Sequence, residues 1–323
     1  MRISPEKLAS EAASTGFRAD VLEKVARLLG LLQTIQQHPF LEGKLALKGG
    51  TALNLFVFDV PRLSVDIDLN YIGATGREQM LRERPRLEEA LQAVFAREDY
   101  SVRRMPTEHA GGKWSLRYSD ASGRSGNLEV DLNYMFRVPL WPVQKCDSHQ
   151  IGAWQASAIP VLDLHELAAG KLAALIARGV ARDLFDTTQI LEHPDIETAS
   201  LRAAFVTYGA MNRKDWRTVS VDDVVFDPAE LGRKLTPMLR EGIGEHDLPP
   251  EEYGKRLAVK CTELLARVLP FTDNERTFLD RLLDAGEIDA SLLTDDPDLQ
   301  SRIQNQPLLE WKAFNVRIHR GLV

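Results

Sequence analysis

Apolar residues recur at helical spacing early in the chain. Val21, Val25, Leu28, Leu29 and Leu32 share one face, so two helices are predicted over roughly the first 37 residues, ending before the turn-like His38-Pro39. An apolar triplet at 45–47 reads as a short strand, followed by the turn Lys48-Gly49-Gly50-Thr51 and a short helix over 52–56. Alternation at 63–71 (LSVDIDLNY) predicts a strand with one apolar and one polar face. A charged amphipathic helix is predicted over 77–97. Three strands follow over 100–105, 113–119 and 126–134, the last two joined by a hairpin turn over 120–126 (DASGRSG). Beyond Pro160 strand signals fade. Helical periodicity runs over 162–178, 182–191, 198–208, 250–268, 274–283 and 307–316, with a loop over 242–250. The pattern is α+β: a domain over 1–160 with a mixed, mostly antiparallel sheet and flanking helices, then an all-helical domain over 161–323.

The polar face of the 63–71 strand concentrates acid. Val65, Ile67 and Leu69 point one way, and Ser64, Asp66, Asp68 and Asn70 the other. Two carboxylates about 7 Å apart on one face repel each other. Solvent relieves that repulsion, and so does a divalent cation such as Mg²⁺, which takes one or two carboxylates plus substrate phosphates. A wet antiparallel face is the simpler explanation of the acids. The strand over 127–134 (NLEVDLNY) repeats the alternation, with Glu129, Asp131 and Asn133 on its polar face. Either Glu129 or Asp131 is placed to add a third carboxylate. Gly49-Gly50-Thr51, between a strand and a helix, is either a plain turn or one that lets backbone N–H groups approach a phosphate.

A lysine stands on an apolar stripe further on. In the helix over 162–178, Lys171 follows Leu164 by seven and Leu167 by four, and precedes Leu175 by four. It therefore faces the protein, where it must snorkel or find an anionic partner. Arg178 lies seven residues on, along the same side. Asp183 and Asp186, three residues apart, either cap the next helix, orient Lys171 or Arg178, or contact substrate.

Composition narrows the setting. At 323 residues, 44% apolar and 27% charged, the chain is ordinary for a folded protein of about two domains. No apolar run is long enough for a membrane span, and the N-terminal MRISPEKLASEAASTG has no secretory apolar core. Two cysteines exclude a disulfide scaffold and fit a reducing, cytoplasmic setting. The net charge of −7 confines any nucleic-acid contact to local patches. Two stretches qualify, though either is equally an ordinary solvated surface. One is 103–126, with Arg103, Arg104, Lys113, Arg117 and Arg124 against Glu108 and Asp120. The other is 312–323, with Lys312, Arg317, His319 and Arg320.

The series Lys48-Gly49-Gly50-Thr51, Leu63-Ser64-Val65-Asp66-Ile67-Asp68-Leu69, His165 to Leu175 (HELAAGKLAAL) and Arg182-Asp183-Leu184-Phe185-Asp186, in this order and spacing, resembles the AbiEii/AbiGii toxin family, which includes the MenT toxins. The resemblance implies a DNA-polymerase-β-type nucleotidyltransferase domain and a helical domain that closes its cleft. It implies metal-dependent transfer of NMP from an NTP to an acceptor hydroxyl, Mg²⁺ or Mn²⁺ as cofactor, and the tRNA 3′ end as the leading acceptor, blocking translation. A cognate antitoxin is an implied partner. By the resemblance Gly50, Thr51 and Lys171 would meet the nucleotide; by position in the sequence Gly49, Ser64 and Arg178 would join them. Asp66 and Asp68 would hold the metal, and Lys171 and Asp183 would complete the catalytic set; a third metal ligand, Asp131 or Glu129, is a reading of the strand pattern and not of the resemblance. Threonine at 51 replaces the serine of many relatives and keeps the hydroxyl. The competing readings are transfer to a protein or small molecule, and a non-catalytic nucleotide- or partner-binding protein of the same fold.

Overall fold

The computed structural model describes residues 3–105, 110–242 and 248–321. Glu108 and most of the predicted 242–250 loop lie outside the described residues. The chain divides into two units. The first comprises residues up to Arg137, Val143–Leu162 and the stretch from Pro237; the second comprises Val138–Pro142, Asp163–Thr236 and the C-terminal remainder.

The first unit is built on strands β1 (Leu45–Lys48), β2 (Asp66–Tyr71), β3 (Ser101–Arg104), β4 (Gly111–Ser119), β5 (Ser125–Asn133), β6 (Gln144–Cys146) and β7 (Ile159–Val161), in the order β3-β4-β5-β2-β1-β7-β6. β2 runs parallel to β5 and β1 parallel to β7; the other neighbours are antiparallel. Helices α1 (Pro5–Thr15) and α2 (Ala19–Gln36) precede the sheet. A short α3 (Gly49–Ala52) continues as wider turns over Leu53–Val57, and α4 (Arg77–Arg97) joins β2 to β3. One sheet face is apolar by alternation: Leu45, Leu47, Ile67, Leu69, Tyr71, Trp114, Leu116, Leu128, Val130 and Leu132 are all buried. Met80, Leu87, Leu91, Val94 and Phe95 give α4 the stripe that packs there, with Phe95 edge-on to Trp114 at 6.1 Å.

Two details depart from the pattern. The predicted 63–71 strand begins only at Asp66. Leu63 N–H donates to the Met238 carbonyl and Arg62 bridges to Leu239, so this segment pairs outside the sheet. β6 and β7 escape the sequence because three residues are too few to show alternation, and Pro160 in β7 reads as a break.

The second unit is helical, with α5 (Leu164–Arg178), α6 (Ala181–Leu191), α7 (Thr198–Ala210) and helices at Pro250–Leu264, Asp273–Asp280, Pro297–Gln304 and Pro307–His319. Asp163 caps α5 by accepting the His165 N–H, and Gly179 ends it at φ 60°, where a Cβ would be strained. Pro297–Gln304 lacks a sequence signal because Leu299 and Ile303 alone of its eight residues are buried.

Glu166, in the first turn of α5, is 3% exposed. Its carboxylate accepts the Tyr208 hydroxyl at 2.8 Å and the Leu140 N–H at 3.0 Å. Burial nonetheless dominates and pushes the carboxyl up to about 7. In the unfolded chain it ionises near 4.5, so folding loses stability as pH rises from there to about 7, by about 3 kcal/mol in all. Glu166→Gln removes the charge and keeps a partner for both groups, since the Tyr208 hydroxyl accepts from the new amide. The variant is expected to melt above wild type at pH 8 and to converge with it near pH 4.5. Parallel melting curves across that range would contradict the assignment.

Candidate active site

The opposite face of the sheet is polar, and register assembles it row by row. Lys48 of β1 pairs with Asp68 of β2, Asp68 with Asp131 of β5, and Asp131 with Lys113 of β4. Directly paired residues share a face at about 4.8 Å per strand, so four charges stand in line as plus, minus, minus, plus. The next row holds Asp66, Glu129 and Ser115. The row on the other side holds Asn70 and Asn133. Asn70 is fully buried, and its amide atoms have no hydrogen-bond partner among the described residues.

This register gives the two candidates for the third carboxylate different neighbours. Asp131 stands beside Asp68. Its burial and, second, the charge of Asp68 push its carboxyl above the usual range, while Lys48 and Lys113 pull it back. Glu129 stands beside Asp66 but is half-exposed and ion-paired to Lys113 at 3.0 Å. The bond to Glu129 in turn holds the Lys113 ammonium above its ordinary range.

The glycine turn abuts this face. Gly49 has φ +73°, and a Cβ there would lie 2.5 Å from Oδ2 of Asp68. The turn therefore needs glycine both for its backbone and for the carboxylate packed on it. Gly49→Ala is expected to lose about 1–2 kcal/mol of stability from the left-handed backbone. It should also push Asp68 out of line, so that thermal melting and transfer activity fall together. Wild-type melting in this variant would overturn the close approach. Gly50 and Thr51 are buried in α3. The Thr51 hydroxyl donates to the Asp66 carbonyl, so it fixes where β2 starts. Ser64 is buried ahead of β2, at 6% exposure. β2 itself begins at Asp66, so Ser64 stands just ahead of the carboxylate rows.

The second unit carries its own charged cluster. The Lys171 ammonium lies 2.8 Å from Oδ1 of Asp183 and 2.9 Å from Oδ2 of Asp186, all three buried. Arg178 donates to the other Asp183 oxygen at 2.9 Å, while its side chain stays 61% exposed. Of the alternatives open in the sequence, the one in which both aspartates hold Lys171 describes the structure. Asp186, which the catalytic set implied by the resemblance does not include, is the partner that the one-turn spacing from Asp183 pointed to.

The donors at Asp66, Asp68 and Asp131 are all carboxylate oxygens, which suits a hard divalent cation. Among the described residues no three His, Cys, Asp or Glu side chains are gathered into a metal cage. Asp66, Asp68 and Asp131 therefore share a sheet face without being gathered as a three-ligand metal site.

A family model described as nucleotidyl transferase AbiEii toxin, Type IV TA system, matches residues 31–304. Among solved structures, the chain is similar to MenT4, a nucleotidyltransferase toxin from Mycobacterium tuberculosis H37Rv. The identity is 17% and the TM-score 0.62, over 95% of this chain and 99% of that one, a likeness of fold. No curated protein matches the sequence. Among the described residues no helix is long and apolar enough to cross a membrane.

Proposed function

Because the chain belongs to the AbiEii family of nucleotidyltransferase toxins, of type IV toxin–antitoxin systems, we propose that the carboxylate face of its sheet transfers a nucleotide from an NTP to an acceptor hydroxyl. The observation that carries this reading is the register of Asp68 with Asp131, beside Asp66 and against the Gly49 turn. Asp66 and Asp68, with Asp131, would hold the divalent cation. When bound, that cation polarises the α-phosphate and offsets charge on the leaving pyrophosphate. The acceptor oxygen forms a bond to the α-phosphorus, the bond to the β-phosphate oxygen breaks, and the hydroxyl proton passes to solvent or to a carboxylate of this face.

In the second unit, Lys171 and Asp183 take the part of positioning residues. Lys171 holds Asp183, and Asp183 orients Arg178, whose exposed guanidinium is suited to an anionic phosphate.

The proposed acceptor is RNA, foremost the tRNA 3′ end, with translation blocked as the consequence. Support comes from Arg103, Arg104, Arg117 and Arg124, all exposed on β3, β4 and the hairpin after β4, in the same sheet as the carboxylates. Such a strip suits phosphate contacts that position a backbone without reading sequence. Incubation with each labelled NTP, Mg²⁺ and total RNA tests the reading. Label in tRNA supports it. Label in protein or in a small molecule moves the acceptor, and no label with any NTP and any acceptor removes the catalytic reading.

A further inference from the structure

The charge row across β1, β2, β5 and β4 is balanced by the chain itself: Lys48 and Lys113 bracket Asp68 and Asp131. The two lysines differ in how they are held. Lys48 ends β1, and its ammonium lies 5.8 Å from the centre of the Phe136 ring. Lys113, on β4, is half-exposed and pairs with an equally exposed Glu129 at 3.0 Å. Exposed pairs of this kind hold weakly, and a lysine stem reorients freely.

We propose that Lys113 is the exchangeable counterion of the carboxylate face: it neutralises Asp131 and Glu129 before a divalent cation enters, and its ammonium then turns to the phosphates of the nucleotide. This rests on the reading of Asp66, Asp68 and Asp131 as cation ligands. An arriving dication meets a like charge at Lys113, and a phosphate-rich substrate meets an opposite one. The same side chain therefore opposes metal binding and favours nucleotide binding. A purely structural lysine would do neither, and a simple substrate-binding lysine would do only the second.

The test uses the full chain and Mn²⁺ alone, with free Mn²⁺ counted by electron paramagnetic resonance. Lys113→Met is expected to bind Mn²⁺ roughly three- to tenfold tighter than wild type, since a unit charge a few ångströms from the dication is removed at a surface-like dielectric. In transfer assays at saturating Mn²⁺, the same variant should show KM for the NTP raised several-fold with kcat less affected. Lys113→Gln reads the same two quantities if methionine impairs folding. Unchanged or weaker Mn²⁺ binding in both variants overturns the counterion role, and an unchanged KM overturns the turn toward phosphate. Asp68→Asn separates this from the underlying assignment. If it binds Mn²⁺ as wild type does, the carboxylates are not the cation site. If it loses Mn²⁺ while the Lys113 variants bind no tighter, the Lys113 proposal alone fails.

Discussion

Asp68→Ala is expected to lower nucleotidyl transfer by about 10³-fold or more, at least about 4 kcal/mol of barrier, with the protein still folded. Asp68 occupies the centre of the charge row, with Lys48 on one side and Asp131 on the other. Its carboxylate also packs on the Gly49 backbone. It contributes nothing to the apolar face made by Ile67, Leu69 and Tyr71 of the same strand, so removing it leaves the core intact. Asp131→Asn makes a sharper companion because it changes charge and not size. Burial and the Asp68 charge hold the Asp131 carboxyl above its usual range, so its ionised form costs the folded state stability. That cost is absent at low pH, where both states are protonated, and grows as pH rises through the interval between the ordinary and the raised value. The Asp131→Asn variant should therefore melt above wild type at neutral pH without added cation, the gap closing on acidification, while its transfer rate collapses. Near-wild-type turnover in Asp68→Ala would show that the chemistry lies elsewhere.

The acid-bearing strands were legible because alternation needs only neighbours in sequence. Ile67 and Leu69 against Asp66 and Asp68, and Val130 and Leu132 against Glu129 and Asp131, declare two faces without any tertiary information. Register is not local. Nothing in 127–134 says whether Glu129 or Asp131 stands beside Asp68; that depends on β2 and β5 running parallel, which brings Asp68 level with Asp131. The same pairing, carried one strand further, brings Lys113 level with Asp131. Before pairing, Lys113 was one of several basic residues in a patch. The strand's start is not local either: alternation in sequence runs on before Asp66, where β2 begins, while Leu63 pairs at Met238 instead. The helical unit was readable from its periodicity, whereas Glu166 gave no signal. An acid in the first turn of a helix is ordinary, and its burial depends on Tyr208 and Leu140, far away in sequence.

Lys171→Met tests what the buried lysine is for, and the structure reverses the simplest expectation. Methionine fills the volume and suits an apolar stripe, so periodicity alone predicts a variant at least as stable as wild type. But Lys171 is bound by Asp183 and Asp186, whose side chains are 3% and 0% exposed. Removing the ammonium leaves those two carboxylates without it, and losing one partner of a buried ion pair costs about 3–5 kcal/mol. Arg178 still reaches Asp183 at 2.9 Å and tempers the loss there, while Asp186 is left without the ammonium 2.9 Å away. Thermal melting should fall by roughly 10 °C. Neutralising the acids as well, in Lys171→Met with Asp183→Asn and Asp186→Asn, should restore much of the stability, since the charge imbalance rather than the lysine's volume is what the single variant suffers. Nucleotide handling would not return with it, because Arg178 has then lost the carboxylate that orients it. A single Lys171→Met variant as stable as wild type at neutral pH would mean that the two aspartates do not depend on the lysine. A triple variant that regains both stability and a normal KM for the NTP would reduce the cluster to packing.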